Sequence, residues 1–374
     1  MPAGTTEPES GLLGATFCFI SSRLVETDFR KPLMDALLTK GCEVWHVRVG
    51  RRNILTKPNA PQLEFNGARG FVTLIRHIDR ARPNWTPPVV FIDTTGAFVP
   101  LRSVMLRFLL GGLWCFDIFD NLLYDARGLN RFKRSVQIAL LAHLSSIQIV
   151  LSRDALRLFP KAYHLDNAAH TTRRVRPLDA YRHLVSLFAI DGRFDFELVR
   201  RVAELAPNLK IHLYGRVASN DRSISDEFEK VRAKYPNLVY HGEYRFADVD
   251  AILATFGIGF TPYVTNCQLT DFVNPDKYYL FLKSGMEVIS TDIPQARRLK
   301  DRIHIARSAD EVLALASQIR TDARFRKNKE DGNEFDWAKR ADELIRLVRS
   351  KPSWLDRGLP SSHVRATKSA GLSE

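Results

Sequence analysis

NLVYHGEYRFADVDAILATFGIGFTPY, residues 237–263, runs through a polar loop into NPDKYYLFLKSGMEVISTDIP, residues 274–294, and the order of elements in this stretch decides the fold. It reads as a short strand, an amphipathic helix, an apolar strand ending at Pro262, a polar loop, and a helix opened by Pro275. A second apolar strand, Glu287 to Ser290, closes the unit. In an open α/β sheet, ligands bind outside the carboxyl ends of the strands, where loops feed helix N-termini. Lys277, in the first turn of its helix, adds a cation that suits a phosphate. The stretch therefore predicts a site for a phosphorylated donor.

Upstream the same alternation recurs. Ala15 to Ser21 is a buried strand, a polar loop leads to a helix over Phe29 to Lys40, and Gly41 ends it before a strand at Glu43 to Val49. Strands follow at Val89 to Asp93, Leu113 to Ile118 and Ser146 to Leu151. The pattern restarts after the basic segment Arg173 to Pro177, with strand His183 to Ala189, helix Phe194 to Ala206 and strand Lys210 to Tyr214. Helix Ser225 to Lys234 and strand Leu238 to His241 lead back to the opening stretch. This predicts a first α/β domain over residues 12–172, a second over 177–330, a final helix within 331–350, and ends (1–11 and 351–374) without regular structure. An interdomain cleft is then the expected site.

The 374 residues suffice for two cores, and 45% apolar with 26% charged residues is ordinary for a globular chain. Four cysteines without a CxxC pair argue for a reducing compartment and against both a disulfide framework and a zinc site. No signal peptide is visible, and charges interrupt the most apolar segment, Val104 to Tyr124, so a cytoplasmic protein is expected. The net charge of +13 favours an anionic partner: a phosphate-bearing substrate, an anionic membrane surface or nucleic acid. No aromatic-interleaved basic stripe supports nucleic acid.

Four segments resemble the GT-B glycosyltransferases, most closely the bacterial polysaccharide enzymes of the family-four type and the xanthan-type glucuronosyltransferases. LWCFDIFDNLL (Leu113 to Leu123) is similar to an acidic strand end of that family. VLSRDALRLFPKAYHLDNAAH (Val150 to His170) is similar to the segment closing its first domain. LFAIDGRFDFELVRRVAELAPNLKIHLYG (Leu187 to Gly215) and the opening stretch are similar to its donor domain. The resemblance implies an α/β chain of two Rossmann-like domains facing an interdomain cleft. It also implies sugar transfer from a nucleotide-sugar, a UDP-sugar such as UDP-glucuronate, to a lipid-linked or polysaccharide acceptor in exopolysaccharide or capsule synthesis. No cofactor or metal is expected, and the enzyme would sit peripherally on the inner face of the plasma membrane. The chain departs from the family at Leu280, where a ribose-binding glutamate is usual, and this favours the xanthan-type neighbourhood. The alternative is a catalytically inactive relative serving as a nucleotide- or glycan-binding partner subunit.

The candidate residues follow. Asp120, just past an apolar strand, is placed to deprotonate an acceptor hydroxyl, or else caps the next segment. Asp117 is the more structural of the two. Lys277 and Arg193 are candidate diphosphate ligands, although Arg193 has Asp191 and Asp195 as alternative partners. Asn274, read as the cap of the Lys277 helix, would touch sugar or phosphate, and Tyr263 begins a polar loop suited to sugar hydroxyls. Gly215 and Arg216 follow a strand where backbone meets a nucleotide, and the resemblance puts the base near the turn ending at Tyr244. Arg23 and Arg30, in SSRLVETDFR, would border the acceptor and meet a lipid-linked pyrophosphate. His164, Asp166 and His170 have no standard metal spacing.

Overall fold

The computed structural model describes residues 15–49, 53–57, 62–65, 70–81, 84–85, 89–94, 100–118, 127–218, 221–265, 267–326 and 332–351. The first domain runs β1 (Thr16–Ser21), α1 (Lys31–Thr39), β2 (Glu43–Arg48), β3 (Asn53–Thr56), β4 (Leu63–Phe65), α2 (Gly70–Ala81), β5 (Val89–Asp93) and α3 (Pro100–Leu110). It continues through β6 (Leu113–Ile118), α4 (Gly128–Leu144), β7 (Ile147–Val150) and β8 (Tyr163–His164). Its sheet has the order β4-β3-β2-β1-β5-β6-β7-β8, parallel except for the antiparallel pairs β2/β3 and β3/β4. Its central parallel strands β1, β5 and β6 are buried on both faces, as a parallel sheet requires. Alternate residues of β1 serve opposite cores: Phe17 and Phe19 join Leu33 and Leu37 of α1, and Cys18 and Ile20 join Leu74, Ile78 and Leu106.

The second domain runs β9 (Leu184–Leu187), α5 (Phe196–Leu205), β10 (Ile211–Tyr214), α6 (Arg222–Lys234), β11 (Leu238–Tyr240), α7 (Val249–Leu253) and β12 (Ile258–Thr261). It continues through α8 (Gln268–Asp271), α9 (Asp276–Lys283), β13 (Glu287–Thr291), α10 (Pro294–Arg298), β14 (His304–Ala306) and α11 (Ala309–Thr321). Its parallel sheet has the order β11-β10-β9-β12-β13-β14. Strand order reverses between β9 and β12, and in the first domain between β1 and β5. Those reversals open the crevices where ligands of open α/β sheets bind.

The last helix, α12 (Trp337–Arg349), returns to the first domain. Trp337, Ala341, Leu344 and Val348 form one stripe at three- and four-residue spacing and join the core beneath α1. Each large side chain of that stripe contributes about 1.5–3 kcal/mol by burial. Asp336 starts the helix by accepting the Ala338 N–H, and its carboxylate also takes the Lys283 ammonium at the end of α9.

The two halves are tied through α9. Asn167 donates to the Asn274 carbonyl (2.8 Å), and Asn274 Nδ2 donates to the Leu151 carbonyl (2.7 Å) and to Asp166 (3.0 Å). Tyr279 also donates to Asp166, Thr171 donates to the Leu280 carbonyl, and Arg298 pairs with Asp154. These bonds correct the reading of Asn274. It does not cap the helix, because Pro275 holds the cap position, and its amide is spent on the first domain. Gly259 in β12 fixes how closely α9 lies on the sheet. A Cβ there would stand 2.4 Å from the Phe281 ring, so glycine lets the helix settle with its N-terminus over the carboxyl edge.

Three histidines cluster on the second sheet. His212 Nδ1 and His241 Nε2 are 2.9 Å apart with the rings stacked, His183 lies beside His212, and Tyr214 stacks on His241. Burial, then the neighbouring His241, His183 and Lys210, pushes the pKa of His212 down to about 4, and burial lowers His241 and His183 as well. The folded chain thus refuses protons that the unfolded chain accepts below pH ~6.5. Stability is expected to fall as pH drops from 6.5 toward 4, by about 1 kcal/mol at pH 5 from His212 once solvent screening is allowed for. Urea melts at pH 7 and pH 5 should show His212→Gln losing less stability than the parent; equal losses would contradict the assignment.

Candidate functional site

The loops at the carboxyl edge of the second sheet are joined to one another by backbone hydrogen bonds. Ile190 donates to the Arg216 carbonyl and Ala218 returns a bond to Ile190, joining the β9 and β10 loops. Asp195 donates to Pro262 and Val264 to Arg193, joining β9 to β12, while the Tyr263 N–H reaches Thr291 Oγ1 after β13. Gly215 donates to the Gly242 carbonyl, joining β10 to the turn after β11. A groove edge fixed in this way costs a ligand little ordering.

Into this edge project Arg193, Tyr244, Asp276 and Lys277. Lys277 Nζ lies 2.7 Å from Asp276 Oδ1, and the two side chains are 19% and 54% exposed. Burial works against the Lys277 charge, but Asp276 and Tyr244 outweigh it and raise its pKa; burial likewise opposes ionised Asp276, and Lys277 with Arg193 lowers its pKa. Both groups are therefore charged. Tyr244 feels the same pair: burial raises its phenol and Lys277 lowers it. Arg193 is held by a fork to Asp191, with Nη2 at 2.6 Å and Nε at 3.1 Å. Two cations, each paired with its own carboxylate, thus stand close enough at this edge to feel one another's charge.

Other candidates stand elsewhere. Tyr263 is 3% exposed, with its ring against Phe188 and Tyr278 and its backbone bridged to Phe194, so its side chain packs into the floor of the edge and does not begin a sugar-facing loop. At Gly215 (φ +144) a Cβ would come 2.0 Å from the Phe188 carbonyl, so glycine is needed first for packing between two strand ends. Arg216 is exposed on the same rim. Leu280 is 3% exposed in the core, so position 280 has no face toward a ribose. The carboxylate that the helix does offer is Asp276, at its first position directly after Pro275; the sequence signals it only through that proline.

In the first domain Arg23 is exposed beside β1, stacked toward Phe29. Arg30 is not at the surface. It is 0% exposed and forks onto Asp117 through Nε (2.6 Å) and Nη2 (2.7 Å), correcting its reading as an acceptor ligand and giving Asp117 its structural use. His46 and Asp28, 3.2 Å apart, brace the same loop, and Asp28 also accepts the Arg30 N–H. Asp120 lies outside the described residues. A separate cavity of about 410 Å³ opens beside the β12 loop toward α11, where Asp292 takes both Arg297 and Arg307. His164 and Asp166 pair with each other at 3.1 Å within the interdomain tie.

No protein-family model matches the chain, and no curated protein matches it in sequence. Solved structures do match. Sucrose-phosphate synthase from Thermosynechococcus elongatus superposes with a TM-score of 0.67 at 12% identity, over 90% of this chain and 98% of that one. The chain has the GT-B fold. The catalytic domain of starch synthase IV from Arabidopsis thaliana, bound to ADP and acarbose, gives 0.65 at 12% identity over 91% and 100%. Anabaena HepE in complex with UDP and glucose gives 0.62 at 11% over 89% and 99%. The expected pair of Rossmann-like domains facing a cleft is thus met. Among the described residues no helix is long and apolar enough to cross a membrane.

Proposed function

We propose that this GT-B chain is a glycosyltransferase that moves a sugar from a UDP-sugar, UDP-glucuronate being one candidate, to a lipid-linked or polysaccharide acceptor. The observation that carries the reading is the pairing of Lys277 and Arg193 over the carboxyl edge at the β9/β12 reversal, in a fold whose solved neighbours hold UDP or ADP. The donor diphosphate takes Lys277 from Asp276 and Arg193 from Asp191. Charge that grows on the departing phosphate then meets two fixed cations, which is the main electrostatic demand of the step. We give that task to these side chains rather than to a metal ion. Asp276, relieved of Lys277, accepts ribose hydroxyls in place of the glutamate that Leu280 replaces. Tyr244 and Arg216 flank the nucleotide, with Gly215 and Tyr263 shaping the wall behind it. Arg23 borders the acceptor, and Asp120 takes the proton of the attacking hydroxyl.

Exopolysaccharide or capsule assembly of the family-four or xanthan type, at the inner face of the plasma membrane, is the setting we infer, since a lipid-linked acceptor lives there and the chain is basic. The buried Leu280 favours one second reading, a partner subunit that binds nucleotide without turnover. UDP release from a panel of UDP-sugars with lipid-linked acceptors tests both. Acceptor-dependent release is expected, and Asp120→Asn should lower it about 10²–10⁴-fold while UDP still stabilises the fold. Stabilisation by UDP with no turnover of any donor would favour the subunit, and no response to any nucleotide would remove both.

A further inference from the structure

Leu129, Phe132, Val136 and Leu140 are 81%, 68%, 52% and 47% exposed, and their three- and four-residue spacing stacks them along one side of α4. Ile138 and Leu141, the buried residues of that helix, lie on its other side. A helix over a sheet needs one apolar face, and α4 has two. On α3, joined to α4 by the Arg107 bond to the Leu144 carbonyl, Met105, Phe108 and Leu109 are 45%, 70% and 56% exposed. Single exposed apolar residues mean nothing, but a ridge of this size on adjacent helices marks a surface that is covered when the protein works.

Charge says what covers it. The sequences of α3 and α4 carry Arg102, Arg107, Arg131, Lys133 and Arg134 and no acidic residue. Arg127, Arg131 and Lys133 are exposed around the first turns of α4. A two-fold pairing of this face with a second copy would bring like charges together, because the same patch appears on both sides. A bilayer with anionic headgroups offers hydrocarbon to Phe132 and opposite charge to Arg131 and Lys133. In chain order α4 comes next after β6, whose carboxyl end lies at the edge of the first sheet that is tied to the second domain.

We infer that the α3–α4 face is the docking surface, seated on an anionic bilayer with the first turns of α4 in the headgroup layer and the cleft rim beside it. This deepens the membrane setting proposed above and rests on it. Flotation of the full chain with vesicles tests it, using phosphatidylcholine alone and phosphatidylcholine with roughly a third phosphatidylglycerol. The chain should float with the anionic vesicles only and be released by raised salt. Leu129→Ser/Phe132→Ser/Val136→Ser should lower the bound fraction about tenfold, and Arg131→Gln/Lys133→Gln by a few-fold. Both variants should keep the parental stabilisation by UDP, which tracks the fold and the donor recess. Three results overturn the inference: no flotation of the parent, equal binding to neutral vesicles, or parental binding by the triple variant. A parental dimer that the triple variant dissociates also overturns it, assigning the face to a second copy. Loss of flotation with UDP stabilisation intact removes the docking surface and leaves the sugar-transfer reading standing.

Discussion

Lys277→Ala is expected to weaken UDP binding about 10–100-fold, because a charge-assisted contact to phosphate contributes about 1.5–3 kcal/mol. Thermal shift reads this directly. At UDP one hundred times the parental Kd, bound nucleotide stabilises the parent by about 2.7 kcal/mol; after a hundredfold loss the same UDP stabilises the variant by only about 0.4 kcal/mol. Without nucleotide the variant should melt within about 1 kcal/mol of the parent, since Asp276 is 54% exposed and water replaces the lost ammonium. That combination, a silent apo protein and a lost ligand response, separates a binding lysine from a structural one. Unchanged UDP stabilisation would place the diphosphate elsewhere. Lys277→Arg keeps the charge, and because guanidinium and ammonium differ in geometry it should recover part of the response.

What sequence could show of this recess was set by distance along the chain. The positions of Arg193, after β9, and Lys277, in the first turn of α9, follow from the local order of elements, and β5 and β6 match the sequence reading to the residue because each is a short apolar run. β3, β4, β8 and β14 are absent from the sequence reading: they stand at or beside the sheet edges, and one or two apolar residues in each leave no run to read. Asn274 and Arg30 were misjudged because their partners are remote. The amide of Asn274 meets the Leu151 carbonyl 123 positions away, and the guanidinium of Arg30 meets Asp117 across 87. A polar residue beside a proline, or an arginine in a loop, looks the same in sequence whether it faces solvent or a buried acid. Leu280 reads differently once placed: its burial explains why no carboxylate stands there and turns attention to Asp276 at the helix start.

Asp117→Ala should be the most damaging single substitution outside the cores. Arg30 and Asp117 side chains are each 1% exposed, and Arg30 Nη1 has no hydrogen-bond partner, so removing the acid strands a buried cation. Breaking such a pair costs about 3–5 kcal/mol, whereas replacing both members by apolar groups of similar size is often neutral. At about 2–4 °C per kcal/mol for a domain of this size, the first-domain transition should fall by roughly 6–20 °C. Arg30→Met/Asp117→Leu should recover most of that loss, and a single variant within about 1 kcal/mol of the parent would show that the pair is not buried in solution. The double variant also separates fold from function. The pair ties the β1 loop, which carries Arg23, to the end of β6, three residues before Asp120. With the charges gone but the fold kept, UDP should stabilise the double variant as it does the parent, because the proposed donor site lies in the other domain. If the acceptor binds where we propose, transfer should slow and the acceptor KM rise, because the loop and strand end beside it lose the tie that fixes their spacing. Parental transfer kinetics in a stable double variant would confine the pair to stability and free the acceptor side from any dependence on it.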